Sequence, residues 1–408
     1  MPKLSAALQG TVNQKLNSIG PSGIRAFDQK ITGTPGLVKL TLGEPGFNTP
    51  EHVKEAGIRS IRENDSHYSA QKGTPALRNA ISGFLKKRHG LDYDPKTEIV
   101  ATIGATEALA ASLSAMLNPG DKVIIPTPAF ALYVPLVVIS GGIPVEVDTS
   151  QDNFVLTAKK LTETLDREGD AVKALILTYP NNPTGVEYSE KELQDLADVI
   201  ANRPMFVIAD EIYSELTYGV THHSIASMIP EQTILINGLS KSHAMTGYRV
   251  GYIAAPADFI KNAAKMHAFL VTAPSNPAQA AAAEALANGL DDPKEMCVQY
   301  KKSRDYVIGC LDKLGFETVP PKGAFYIFAK IPERYTQNSV DFATDLALKG
   351  KVGVIPGSAF GPGGEGYIRI SYAASVEDLH AAMTNMAAFV NADCLLYTSP
   401  SPRDRSLS

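Results

Sequence analysis

Short apolar runs alternate with helical stretches through the middle of the chain, and this alternation restricts the fold more than any other feature. Residues 98–103, 123–125, 174–177, 206–209, 233–236 and 250–254 are each too short for a typical helix and rich in Val, Ile, Leu and Ala. Helix signals separate several of them. Thr74-Pro75 opens a stretch that runs to Lys86-Lys87-Arg88-His89 and stops at Gly90, with Pro at the first helical position and Gly just past the last. Ser189-x-x-Glu192 supplies a capping box for another, and an Ala/Leu-rich helix that begins at Gly104 is stopped by Pro119-Gly120. Strands alternating with helices predict an α/β core around a mostly parallel sheet.

The first forty or so residues and everything after about Asp291 read differently, with helices and short strands at 324–328 and 367–371. The simplest division is a large central domain over 46–290 and a smaller one assembled from 1–45 and 291–393. A chain of 408 residues that is 44% hydrophobic can bury two such cores. The last segment, 394–408, resembles an in-frame read-through of a sequencing adapter, and its Pro/Ser/Arg composition predicts no packed structure.

With 38 basic and 43 acidic residues and no basic block, the chain lacks the electrostatic footprint that nucleic acid demands. Cys297, Cys310 and Cys394 have no paired spacing, and three thiols cannot all pair within one chain, which argues against a secreted disulfide framework. There is no signal-peptide-like apolar core at the start and no run of about 18 apolar residues. The expectation is a soluble cytoplasmic protein with no nucleic-acid or membrane partner.

The most informative stretch is Gly238-Leu-Ser-Lys241-Ser-His-Ala-Met-Thr-Gly-Tyr-Arg249-Val-Gly251, just after the predicted strand 233–236. A lysine hemmed by small residues there sits at the carboxyl edge of the sheet, where open α/β sheets bind their ligands. A single lysine is ordinarily a solvated surface charge; this one gains meaning from residues that converge on the same edge. Asp210 ends the run 206–209, Tyr213 follows three residues on, and Asn182 lies in the turn Pro180-Asn-Asn-Pro-Thr-Gly185. Gly104-Ala105-Thr106 joins a strand to a helix and offers backbone N–H groups to an anion. Taken singly, an Asp at a strand end is a helix cap, Asn-Pro a turn and a loop aromatic ordinary packing.

Together these residues make up the set that pyridoxal phosphate requires. Lys241 condenses with its aldehyde, and Asp210 keeps a proton on the ring nitrogen. Tyr213 and Asn182 hydrogen-bond the phenolic oxygen. Gly104, Ala105 and Thr106 cradle the phosphate with Ser240 and Arg249, and Phe130 stacks on the ring. Lys241 has to be neutral to move a proton, so its pKa is expected below the ordinary lysine range.

Seven motifs then fall in a fixed order: Gly43-Glu-Pro-Gly-Phe, Tyr68-Ser-Ala-Gln-Lys-Gly, Gly104-Ala-Thr-Glu-Ala, Asn182-Pro-Thr-Gly, Asp210-Glu-Ile-Tyr213, Ser240-Lys241 and Arg369-Ile-Ser-Tyr-Ala. Over essentially all of 1–393 this order resembles the fold-type I, class I/II pyridoxal-phosphate aminotransferases. Leu239-Ser-Lys-Ser-His-Ala-Met-Thr-Gly and Gly323-Ala-Phe-Tyr-Ile-Phe are most similar to the aromatic-amino-acid aminotransferases of lactic-acid bacteria. The resemblance implies a seven-stranded, mostly parallel sheet flanked by helices, with a smaller α+β domain beside it.

It also implies residue roles. Arg369 grips the substrate α-carboxylate, the backbone of Gly43 and the side chain of Asn182 lie against the substrate, and Tyr68 reaches the phosphate of a neighbouring subunit in a homodimer. The substrates implied are an L-amino acid, aromatic favoured, and a 2-oxo acid, 2-oxoglutarate; aspartate and an N-acetylated diaminopimelate are the alternative donors. Ile24, Phe27 and Tyr133 are candidates beside the substrate side chain. Three positions depart from the family pattern: Gly238 and Gly104 stand where relatives carry serine and Phe130 where some carry tryptophan, so phosphate affinity and ring stacking are tuned differently.

Other readings carry less. A carbon–sulfur lyase would use the same lysine, but 244–251 is more similar to the transaminase branch. A transcription regulator would need a DNA-binding module ahead of the core, for which the N-terminal stretch has no room. Gly361-x-Gly363-x-x-Gly366 satisfies a dinucleotide fingerprint in form only, because it contains Pro362 and runs into a strand. No metal site is expected: there is no H-E-x-x-H, and His222-His223 are adjacent in sequence. His243 is read as a packing or polar contact.

Overall fold

The computed structural model describes residues 2–398. At its centre is a seven-stranded sheet in the order Ile99–Thr102, Gly251–Ala254, Thr233–Gly238, Phe206–Asp210, Val172–Thr178, Lys122–Thr127, Ile143–Asp148. All neighbours pair in parallel except Gly251–Ala254, which is antiparallel to the strands on both sides. The middle strands are buried almost throughout, as strands covered on both faces must be. Alternate residues divide between the two faces. Ile176, Ile208 and Ile236 pack with the helices Gly104–Met116 and Ala257–Val271, whereas Leu175, Leu177, Val207 and Ala209 pack with Ala158–Glu168 and Glu190–Ile200.

The helix Pro75–His89 ends as its sequence predicts: Thr74 Oγ1 accepts from Leu77 N, and Gly90 has φ +69°. The capping box at Ser189 is also formed in full. Within this sheet one strand, Ile143–Asp148, is not expected from the sequence. It is the exposed edge of the sheet, and Pro144, Glu146 and Asp148 alternate with its apolar residues, so it lacks the continuous apolar run by which its neighbours are read.

The remaining strands lie apart from this sheet. Ile355–Pro356, Tyr367–Ser371, Tyr326–Lys330 and Glu317–Thr318 form an antiparallel sheet, and Val38–Lys39 pairs with Val352–Gly353. They share one core with helices Gly23–Ile31, Pro293–Lys313, Ser339–Leu348 and Val376–Thr398. The backbone of the last helix therefore continues into the adapter-like segment, whose residues 399–408 lie outside the described ones. Gly361–Gly366 is a loop feeding Tyr367–Ser371, so the dinucleotide fingerprint has no helix to open. Among the described residues no helix is long and apolar enough to cross a membrane.

Candidate active site

A cavity of about 580 Å³ opens at the carboxyl edge of the seven-stranded sheet. Thr178 and Asp210 end their strands there, and Phe130, Ser240 and Lys241 follow strands that end there. The reversed strand Gly251–Ala254 begins at the same edge, and so brings in Arg249 from its amino side. The antiparallel strand thus explains how a residue preceding a strand joins residues that follow strands.

Lys241 Nζ donates to Gly43 O at 2.6 Å and lies 5.9 and 5.8 Å from the ring centres of Tyr213 and Phe325. Burial pushes its pKa down to about 8, with Glu44 opposing and Arg369 and Arg249 adding to the shift. Asp210 is 4% exposed. Burial pushes its carboxyl up to about 6, even though Oδ2 accepts from Tyr133 Oη at 2.7 Å and Oδ1 from Ile212 N at 3.4 Å. Tyr133 Oη also sits 2.6 Å from Thr178 Oγ1. The hydroxyl of Tyr133, expected beside the substrate side chain, is therefore committed to Asp210.

Arg369 is 2% exposed. Its Nη1 donates to Asn182 Oδ1 at 3.0 Å and its Nη2 to Thr41 O at 2.7 Å, while the ring centre of Tyr326 lies 4.5 Å from its guanidinium carbon. Its Nε is buried with no hydrogen-bond partner among the described residues, a donor without an acceptor. Tyr326 Oη is also 2.8 Å from Tyr213 Oη and underlies Gly43, where a Cβ would come within 2.5 Å of it. The sequence does not single out Tyr326 as a site residue. Its signal lies in the pairing of Phe328 with Arg369, which puts Tyr326, two residues from Phe328, on the same face of the sheet as the arginine.

Gly104 opens the helix Gly104–Met116 with φ +74°, and a Cβ there would lie 2.5 Å from Arg249 Nη2. The guanidinium thus rests directly on the turn, beside the first-turn N–H groups of Ala105 and Thr106, which have no acceptor within the helix. Backbone donors, a helix N-terminus and a fixed cation meet there, as an anion such as phosphate requires. Phe130 lines the cavity and packs edge-on against Tyr133 with centres 5.8 Å apart.

Two more of the named residues lie outside this cavity, Phe27 against expectation and Tyr68 on the surface where a residue serving a neighbouring chain would stand. Ile24 lines the cavity, but Phe27 is turned with Ile31 into the core beneath the small sheet, because one helical turn separates those two along the helix Gly23–Ile31. Tyr68 is 93% exposed and lines a separate surface depression with 271–277, outside its own chain's cavity. His243 is a buried polar contact, with Nδ1 2.8 Å from Ser242 Oγ and Nε2 2.9 Å from Gly289 O.

These residues fit pyridoxal phosphate. An amine with a lowered pKa, a buried carboxylate in the same cavity and an anion cradle at its edge match the aldehyde, ring nitrogen and phosphate of that one molecule.

Comparison with known proteins bears on the same point. The family model described as aminotransferase class I and II matches residues 35–385. The chain is 42% identical to a probable N-acetyl-LL-diaminopimelate aminotransferase of Bacillus subtilis, over 94% of this chain and 96% of that one. It is 40% identical to an aspartate aminotransferase of Pyrococcus abyssi, over 92% and 97% of the two chains. The solved structure of an aromatic aminotransferase from Pyrococcus horikoshii superposes with a TM-score of 0.87 at 39% identity, covering 94% of this chain and 99% of that one. The chain belongs to the class I and II aminotransferases and is a pyridoxal-phosphate-dependent enzyme that transfers amino groups.

Proposed function

We propose that the enzyme moves the amino group of an L-amino acid, aromatic donors favoured, to 2-oxoglutarate in two half-reactions that share one site. The observation that carries this reading is the convergence of Lys241, Asp210 and the buried Arg369 on one cavity. When bound, the cofactor supplies an electron-withdrawing ring and the carbon that carries the amino group between the two half-reactions. The protein residues do the rest. Lys241, freed as a neutral amine, takes the substrate Cα proton and delivers it again on the far side of the transfer. Asp210 holds a proton on the ring nitrogen, and its bond from Tyr133 keeps the carboxylate aimed. Arg369, braced by Asn182 and Thr41, receives the α-carboxylate in a fixed orientation. Tyr213 and Asn182 serve the phenolic oxygen; Ser240, Arg249 and the 104–106 turn serve the phosphate.

The substrate reading rests on the lining. Ile24, Leu42, Phe130, Ile212 and Tyr326 offer apolar surface to a side chain. Three of the four lining cations, Lys241, Arg249 and Arg369, already have roles, and the fourth, Arg25, stands exposed on the rim. Arg25 suits the distal carboxylate of 2-oxoglutarate, and it equally supports the second reading, an aspartate or N-acetyl-diaminopimelate donor. A homodimer completes the proposal: Tyr68 reaches the neighbouring phosphate, and the exposed Phe269 and Leu270 near it are apolar surface that a partner would cover. The division into 46–290 and a smaller domain from 1–45 with 291–393 belongs to the same reading.

The test is a single-turnover spectrum of the cofactor-loaded protein with phenylalanine, tyrosine, aspartate or cysteine added separately. Conversion of the cofactor to its amino form, fastest with the aromatic donors, supports the proposal. Fastest conversion by aspartate favours the second reading, and release of pyruvate and sulfide from cysteine without conversion would make the enzyme a lyase.

A further inference from the structure

Next to Asp210 lies a buried ionic cluster that the reaction does not use. Glu211 Oε1 accepts from Tyr179 Oη at 3.0 Å and from Ser224 Oγ at 2.5 Å, and its Oε2 is 3.1 Å from His222 Nε2. The other ring nitrogen of His222 is 3.1 Å from Glu187 Oε1. The side chains of His222, Glu187 and Glu211 are 4%, 2% and 0% exposed. Tyr179 stacks on the imidazole, with centres 5.3 Å apart and planes at 25°. An imidazole that faces a carboxylate through each nitrogen donates from both, which makes it an imidazolium.

The cluster joins segments that carry cofactor-facing residues. Tyr179 and Glu187 bracket the turn that holds Asn182, Glu211 sits between Asp210 and Tyr213, and His222 and Ser224 belong to the loop that follows. Pinning both sides of one imidazolium fixes the spacing of these segments. It also sets a charge: two neighbouring carboxylates in a low-dielectric interior disfavour each other's ionisation, and a cation shared with one of them relieves this.

We propose that His222 is a positioning residue, whose imidazolium locks the Asn182 turn to the 210–213 segment and offsets the Glu211 charge, so that Asp210 stays ionised towards the ring nitrogen. This rests on the reading of Asp210 as the partner of that nitrogen. Other groups around the cluster do not supply the charge. His89, edge-on to His222 at 5.5 Å, is pushed down to about 4 by burial and is neutral. Arg88 is taken by Glu215 at 3.1 Å. Tyr93 and Tyr252 have buried hydroxyls with no hydrogen-bond partner among the described residues. Burial opposes ionisation of Glu211, yet His222, together with a smaller pull from His89 and the Ser224 hydrogen bond, outweighs it and holds that carboxyl below its usual range. Burial prevails at Glu187, whose carboxyl stays above its usual range despite His222, and Glu211 in turn raises Asp210. Among the described residues no group of three or more His, Cys, Asp or Glu side chains is arranged to hold a metal ion.

The test compares wild type, His222→Gln, the double variant His222→Gln/Glu211→Gln, and Asp210→Asn. Each is read by its affinity for pyridoxal phosphate, by the pH midpoint of the bound cofactor's absorbance change, and by its melting temperature. Removing the imidazolium leaves the site more negative, so His222→Gln should raise the absorbance midpoint by about half a unit or more and weaken cofactor binding several-fold. The double variant removes cation and anion together and should return the midpoint to its wild-type value. A lower melting temperature with unchanged midpoint and affinity would reduce His222 to a structural pin and overturn the proposal. If Asp210→Asn also changes neither midpoint nor affinity, the reading of Asp210 falls first; if it changes them and His222→Gln does not, only this proposal falls. Should the variants fail to fold, NMR of histidine-labelled wild type decides: His222 still protonated at about pH 8 supports the lock, and deprotonation near its ordinary midpoint overturns it.

Discussion

Asp210 is costly to ionise where it stands. Its folded pKa, about 6, lies above the ordinary 3.8, so between those values the folded chain binds more protons than the unfolded one and stability falls as pH rises. Above about pH 6 the full penalty, on the order of 2–3 kcal/mol, is present. The cofactor-free Asp210→Asn variant should therefore melt higher than wild type near neutral pH, converge with it below about pH 4, and bind pyridoxal phosphate more weakly. A melting temperature at or below wild type near neutrality would contradict the electrostatic account. Lys241 has the opposite displacement, from 10.5 down to about 8. Capture of the cofactor by the empty enzyme should rise through pH ~8, as the neutral amine forms, and should not wait for the ordinary lysine range. Lys241→Ala should abolish turnover yet keep partial cofactor binding through Asp210 and Arg249; near-normal turnover would remove Lys241 from its role. Lys241, Asp210 and Arg249 were legible in the sequence because each follows or precedes an apolar strand at one sheet edge. Tyr326, Tyr133 and Thr178 were less so, because their contribution is a hydrogen bond to another site residue, and only the three-dimensional register reveals that partner.

Local chemistry fixed the helices well. Ser189 with Glu192, and Thr74 with Pro75 and Gly90, are termini whose capping is written in neighbouring residues, and the structure forms both. The edge strand Ile143–Asp148 was unreadable because Pro144, Glu146 and Asp148 break up its apolar residues. Helix termini far from the cavity and at its edge predict different mutant behaviour. Ser189→Ala removes a cap far from the chemistry and should cost about 1 kcal/mol of stability with turnover unchanged, as thermal melts and initial rates would show. Gly104→Ala should act on the cofactor site. Its methyl meets Arg249 Nη2 and the backbone has φ +74°, so the turn or the guanidinium must move. Affinity for pyridoxal phosphate should fall by roughly tenfold or more, and inorganic phosphate should compete less well for the empty site. Unchanged affinity would mean that the 104–106 turn does not carry the phosphate.

At the scale of the whole molecule the question is which chain completes which site. Tyr68, 93% exposed and outside its own cavity, has no evident task in an isolated chain. If it serves a neighbour, two impaired proteins can repair each other. Lys241→Ala retains a good Tyr68 but no base, and Tyr68→Ala retains the base but no reaching tyrosine. In a two-fold symmetric hybrid, the site containing Lys241 borrows Tyr68 from the Lys241→Ala partner and is intact, while the other site lacks both residues. Unfolding and refolding the two proteins as an equal mixture should recover about a quarter of wild-type sites, since half the dimers are hybrids with one good site each. If Tyr68 acted within its own chain, every hybrid site would be missing one residue or the other and mixing would recover nothing. Because the signal is a gain of activity from two impaired parents, it separates a shared site from a tyrosine that merely supports the fold.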